Sequence, residues 1–238
     1  MSIMTLMHGI RTAVAAQSAA PVFASSVLRT PGGTIGNRTG WTLGTLTPSS
    51  YDDGYAGPYS IGGTWYMNNV GYTTFYISSN GMVTLNGGNG GIFSTPSSGT
   101  NSVGFWITPG DNYWGTNGAN GTGNAPSGVA YKTGTSSSSS YNYFRINMQG
   151  YAYGNSGVDR SWEMNVIWNP TTNEIYVEFV YPSTISSAAT AIGLYTGATV
   201  YQNAITPGAN TSYCYSSTDG GVTWTVHGYG SFSNITFP

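Results

Sequence analysis

Charge is what this sequence has least of: 6% of its residues are Asp, Glu, Lys or Arg, against about 25% in ordinary soluble proteins. Lys and Arg together number six and the formal net charge is −2. No basic stripe exists to grip a phosphate backbone, so nucleic acid is not an expected partner. A surface this poor in charge resists self-association weakly, and such a chain is expected to work bound to its neighbours. Cysteine is nearly absent. Cys214 stands alone, which rules out an intramolecular disulfide. Between Tyr213 and Tyr215 it reads as a small buried hydrophobe. A nucleophilic role would need an activating base, and the two histidines, His8 and His227, are the choices. No run approaches the roughly 20 apolar residues of a membrane span, so no membrane partner is expected. A secretory leader is not expected either, because Arg11, Thr12, Gln17 and Ser18 interrupt the apolar stretch it needs.

What remains is the material of strands and turns. Gly contributes 35 residues and Tyr 19, while 39% of the chain is hydrophobic, enough for a real core. Residues 1–40 lack any period-2 pattern and are rich in Ala, Ser, Thr, Gly and Pro. They read as an extended arm, to be held by contacts from sparse apolar residues such as Ile10, Phe23 and Leu28. Two placements stay open: packing on the chain's own domain, or reaching across neighbouring subunits.

Residues 41–238 read as one β-sandwich domain. Tyr59–Met67, Thr73–Ser78 and Met82–Leu85 have strand character, with Asn80-Gly81 as a tight turn before the last. Val103–Ile107 follows, then a Gly/Asn-rich loop over Asp111–Gly128 and a serine run at Ser136–Ser140. In Tyr141–Gln149 the residues Phe144, Ile146 and Met148 alternate against polar neighbours. Trp162, Met164, Val166 and Trp168 share one face of the next run, and Ile175, Val177 and Phe179 share one face of the run after it. The segment Asn169-Pro170-Thr171-Thr172-Asn173 joins those two runs as a hairpin. Ala191–Tyr195, Tyr213–Tyr215, Val222–Val226 and Phe232–Phe237 bring the total to about a dozen strands. Turn signals at this spacing predict an all-β fold, an antiparallel, jelly-roll-like β-sandwich.

Ser217-Thr218-Asp219-Gly220-Gly221-Val222-Thr223-Trp224 fits the Asp-box pattern S-x-D-x-G-x-T-W. Physically this is a hairpin: Asp219 accepts bonds from turn amides, Gly220 and Gly221 permit positive φ, and Trp224 packs beneath. Asp-boxes resemble the turns of sialidases, but there they are structural, and the arginines here (Arg11, Arg29, Arg38, Arg145, Arg160) are too scattered for a carboxylate cluster. Glu163 and Glu178, on the two arms of one hairpin, are the one pair to test for glycosidase chemistry. With no His or Lys beside them in sequence, they read as exposed strand carboxylates. Asp52-Asp53-Gly54 and Asp111 have the chemistry for calcium but not its loop spacing. No Cys/His metal cluster, Walker loop or Ser-His-Asp set is legible. The expectation is therefore no metal, no cofactor and no catalysis.

From Tyr51 onward the chain resembles nidogen-like domains. The opening Asp52-Asp53-Gly54-Tyr55-Ala56-Gly57-Pro58-Tyr59-Ser60-Ile61-Gly62 and the stretch Tyr72–Leu85 around Asn80-Gly81 carry the likeness. Val103-Gly104-Phe105-Trp106, Glu174–Phe179 and Ala191-Ile192-Gly193-Leu194 follow in that family's order. The match spans residues 51–196 and is specific only around Asn80-Gly81. The flavour of Asp52–Asn68 also resembles β-domains in virion proteins of cyanobacterial and marine tailed phages. That resemblance implies a structural protein located in the virion, foremost a capsid decoration (cement) protein, with a tail or tail-fibre component as the alternative. Its implied partners are the major capsid protein or other virion proteins and further copies of itself. A glycan-binding module, with host surface glycans as partners, is the alternative from another class.

Overall fold

A computed structural model describes residues 19–26, 40–44, 46–47, 53–88, 102–107, 112–114, 128–135, 140–148, 150–152, 155–159, 161–181, 191–204 and 211–235. Every regular element among them is a strand, and the strand pairs are antiparallel. Two seven-stranded sheets form the body. The first runs, edge to edge, through Thr225–Tyr229, Thr211–Ser217, Ile175–Tyr181, Trp162–Trp168, Asn142–Met148, Val129–Thr135 and Thr42–Leu43. The second runs through Val200–Ala204, Ala191–Tyr195, Gly104–Trp106, Met82–Thr84, Val70–Ser78, Tyr55–Met67 and Leu46–Thr47. In each sheet the strands follow chain order from one edge to the other. The expected Gly/Asn-rich loop is interrupted by a strand, Asn112–Trp114, which with Gly150–Ala152 and Asn155–Asp159 makes a small third sheet.

The two large sheets bury their facing rows against each other. Phe144, Ile146 and Met148 pair across the ladder with Val166, Met164 and Trp162, whose other neighbours include Val177 and Phe179. From the second sheet, Trp65 stacks on Phe105 at 5.3 Å and meets Phe144 edge-on at 5.4 Å. Phe105 in turn meets Phe179 at 5.8 Å. This aromatic contact chain joins the sheets along the middle of the sandwich, and each such pair adds about 0.5–1.5 kcal/mol beyond its buried area. Tyr215 crosses the same core. Its hydroxyl donates to the Ile192 carbonyl (2.9 Å) and accepts from Asn203 Nδ2 (3.0 Å), so a buried polar tip is satisfied by the opposite sheet. Burial raises the Tyr215 pKa above its ordinary value.

One expectation fails here. Period-2 alternation in Trp162–Trp168 predicts one buried face and one solvent face, yet all seven residues are buried. Glu163 and Glu178 are 1% and 0% exposed, not surface carboxylates. The outer face of the first sheet is covered by a second, smaller apolar cluster: Tyr141, Tyr143, Ile167, Tyr176, Cys214 and Phe232, with Phe23 and Ile235 packed on it. The chain's own ends thus shield polar side chains that a half-exposed sheet would leave in water. Arg145 and Glu163 are buried as a pair. Arg145 Nη2 donates to Glu163 Oε1 at 2.7 Å, Arg145 Nε donates to Asn165 Oδ1 at 2.8 Å, and the guanidinium lies 5.1 Å from the Trp41 ring centroid. Glu178 Oε2 accepts the Phe232 backbone N–H at 3.1 Å.

Candidate functional site

The Asp-box closes as its residues dictate. Asp219 Oδ1 accepts from Ser217 Oγ (2.7 Å), Val222 N (3.1 Å) and Thr223 N (3.0 Å). Its Oδ2 accepts from Thr223 Oγ1 (2.5 Å). Burial by itself raises the Asp219 pKa, but the bonds from Thr223, Ser217 and Val222 outweigh it and hold the carboxyl below its ordinary value. Gly220 and Gly221 sit at φ 72° and 77°. A β-carbon on Gly221 would lie 2.6 Å from the Tyr66 carbonyl oxygen, so the box needs glycine to approach the neighbouring hairpin. Trp224 is buried and its indole N–H returns to the Gly221 carbonyl at 3.1 Å. With both oxygens of Asp219 engaged by its own turn, this residue is a cap.

The box lies where several hairpins end. Asn68 N donates to the Gly221 carbonyl at 2.9 Å, and Gly220 N to the Asn173 carbonyl at 3.2 Å. The Asn68-Asn69 tip of the second sheet and the 169–174 turn of the first therefore meet the Asp-box at one end of the sandwich. The 169–174 turn is itself capped: Asn169 Oδ1 accepts from Thr171 N (2.9 Å) and Thr172 N (3.2 Å), and Asn173 takes φ 59°. A shallow depression opens between these tips, lined by Thr64, Tyr66, Trp168, Pro170, Asn173 and Gly220 among others. Tyr66 is 42% exposed there. Period-2 alternation places Trp168 in the core, and it does not mark Tyr66. The polar, left-handed Asn68, Asn69 and Asn173 were the available signal, because such residues gather at hairpin tips.

Asn80 and Gly81 belong to the other end of the Val70–Ser78 strand. Asn80 is buried, donating from Nδ2 to Asp53 Oδ1 at 3.1 Å, while Ser79 N donates to the Gly54 carbonyl at 2.9 Å. Gly81, at φ 78°, offers its carbonyl to Ile107 N at 2.8 Å. The acidic opening and the Asn-Gly turn, far apart in sequence, are thus one locked corner, and Asp53 holds Asn80. Asp52 and Asp111 lie outside the described residues. No group of three or more His, Cys, Asp or Glu suited to a metal ion occurs among the described residues.

The carboxylate pair does not form a cleft. Asn165 stands opposite Glu178 and Val180 opposite Glu163, and both acids are spent on contacts within the sheet's cover. Cys214 is buried, its Sγ 3.2 Å from the Gly230 carbonyl. Of the three arm residues, Ile10 and Leu28 lie outside the described segments. Phe23 is placed on the chain's own C-terminal strand, paired with Phe232.

No family model, curated protein or solved structure matches the chain.

Proposed function

We propose that this chain is a structural protein of a bacteriophage particle, a decoration (cement) protein seated on the capsid, and not an enzyme. What carries the reading is where its reactive and apolar groups sit. Arg145, Glu163, Glu178 and Asp219 are all engaged in holding the fold. Large apolar side chains stand exposed instead on edge strands and hairpin ends: Leu43, Tyr66, Val70, Val226 and Tyr229. That distribution suits a body that docks against other proteins through its rims. The resemblance to phage β-domains supplies the particle, the capsid protein and further copies as partners, and a tail or fibre position is the variant of the same reading. Mass spectrometry of purified particles, followed by rebinding of the purified chain to undecorated heads, tests it. The expected result is a stoichiometric virion component that rebinds heads. Absence from particles overturns it.

One observation favours a glycan-binding reading beside this one. The depression at the Asp-box end is aromatic and neutral, and the Tyr66 ring that lines it is 42% exposed. A glycan array with the wild type and Tyr66→Ala decides. Binding that is lost in the variant supports a sugar site, and no binding by either removes it.

A further inference from the structure

The contact between the chain's two ends is built in unusual detail. Phe23 and Ala24 pair antiparallel with Phe232 and Ser231, forming a two-stranded sheet apart from the large ones. Val22 N donates to Asn234 Oδ1 at 2.6 Å, Asn234 Nδ2 donates to the Ala20 carbonyl at 2.9 Å, and Ser233 N donates to the Val22 carbonyl at 2.8 Å. The Phe23 ring lies flat on His227, centroids 5.0 Å apart, and His227 meets Phe232 edge-on at 5.8 Å. Gly230 leaves room for the backbone above it: a β-carbon there would lie 2.6 Å from the Ala24 carbonyl oxygen. These contacts make residues 20–25 a strap and residues 227–234 its seat.

Three features make the strap separable from the body. The main core cluster contains no residue of 19–26, and Phe23 packs instead on the smaller outer cluster that includes Phe232. Among the described residues the strap's hydrogen bonds and strand pairing run to 231–234, with His227 beneath Phe23, so any copy of the chain offers the same seat. The segment 27–39 joins the strap to the body. Fully extended it reaches roughly 45 Å, about the width of a body of this size, whose radius of gyration is expected near ~16 Å. A strap on its own seat and a strap on a neighbour's seat therefore form identical contacts. What chooses between them is local concentration, which assembly raises for the neighbour's seat.

We propose that the strap is exchanged between copies: closed on its own seat in the free chain, it docks on the 227–234 seat of an adjacent copy in the particle. This rests on the assembly reading above. The test uses two single variants, Ala24→Cys and Ser231→Cys, each with Cys214→Ser, because those two positions are direct cross-strand partners. The variants are mixed, assembled on heads, oxidised and run without reductant, and occupancy on the heads is scored separately. Exchange predicts a covalent dimer from the assembled mixture and none from the dilute free mixture. Normal occupancy without the dimer overturns exchange and leaves the particle reading standing. Failure of the wild-type chain to occupy heads at all overturns both.

Discussion

Asp219 and His227 show how single residues hold the turns and ends of this fold. Asp219→Ala removes a cap with several donors, and a loss of about 1–2 kcal/mol in denaturant unfolding is expected. Particle or sugar binding should survive once the variant is folded. A variant as stable as the wild type would contradict the cap. The pH dependence follows from the lowered Asp219 pKa. Its contribution is fully present above the ordinary value of 3.8 and fades as pH falls below it. His227 works in the same direction for the opposite chemical reason. Burial lowers its pKa from 6.5, so the folded state prefers the neutral ring that stacks beneath Phe23 and shares a 2.8 Å hydrogen bond with Ser216 Oγ. The unfolded chain binds that proton more readily, so this contribution is complete above pH 6.5 and is lost as pH falls through the lowered folded value. The protection factors of the amides of residues 20–25, corrected for intrinsic exchange at each pH, should therefore fall on acidification, and His227→Phe should abolish the change. Equal acid sensitivity in that variant would place the cause elsewhere.

At the scale of the element, the hairpin Trp162–Trp168 and Ile175–Tyr181 is the centre of the first sheet, walled on both faces. Val166→Asp buries an unpaired charge in the inner face, and a cost of about 3 kcal/mol or more is expected in equilibrium unfolding. Unchanged melting would show that the inner face is misassigned. The outer face makes a different prediction, because Arg145 and Glu163 are paired there. Removing Arg145 alone strands Glu163, at a cost of about 3–5 kcal/mol, whereas replacing both by Leu recovers most of that loss, since a buried ion pair gives back in attraction what desolvation takes. A double variant no more stable than the single one would argue against this pairing. The inner rows of this hairpin were legible from alternation alone. The outer rows were not, because Glu163, Asn165 and Glu178 are the residue types that ordinarily mark a solvent face. Nothing local in the sequence announces that the chain ends come back to cover them.

For the whole molecule, the test is removal of residues 1–40. The main core closes without 19–26, so the truncated chain should fold and stay soluble, with a lower melting temperature because Phe232 and His227 lose their cover. It should no longer join the particle. Normal incorporation of the truncated chain, or its failure to fold, would return the segment to its own domain and end the assembly reading of the arm. The all-β class, the inward rows and the Asp-box were determined by the sequence itself. These are short-range matters: a period of two, a turn residue with the right φ, a carboxylate a few positions from the amides it caps. The tertiary structure alone decided three other things. It brought the Asp-box, the 169–174 turn and the Asn68-Asn69 tip to one end, locked Asp53 to Asn80 at the other, and laid Phe23 on Phe232 across the length of the chain. Each joins residues whose encounter depends on strand order and sheet packing, and period-2 alternation carries no information about either.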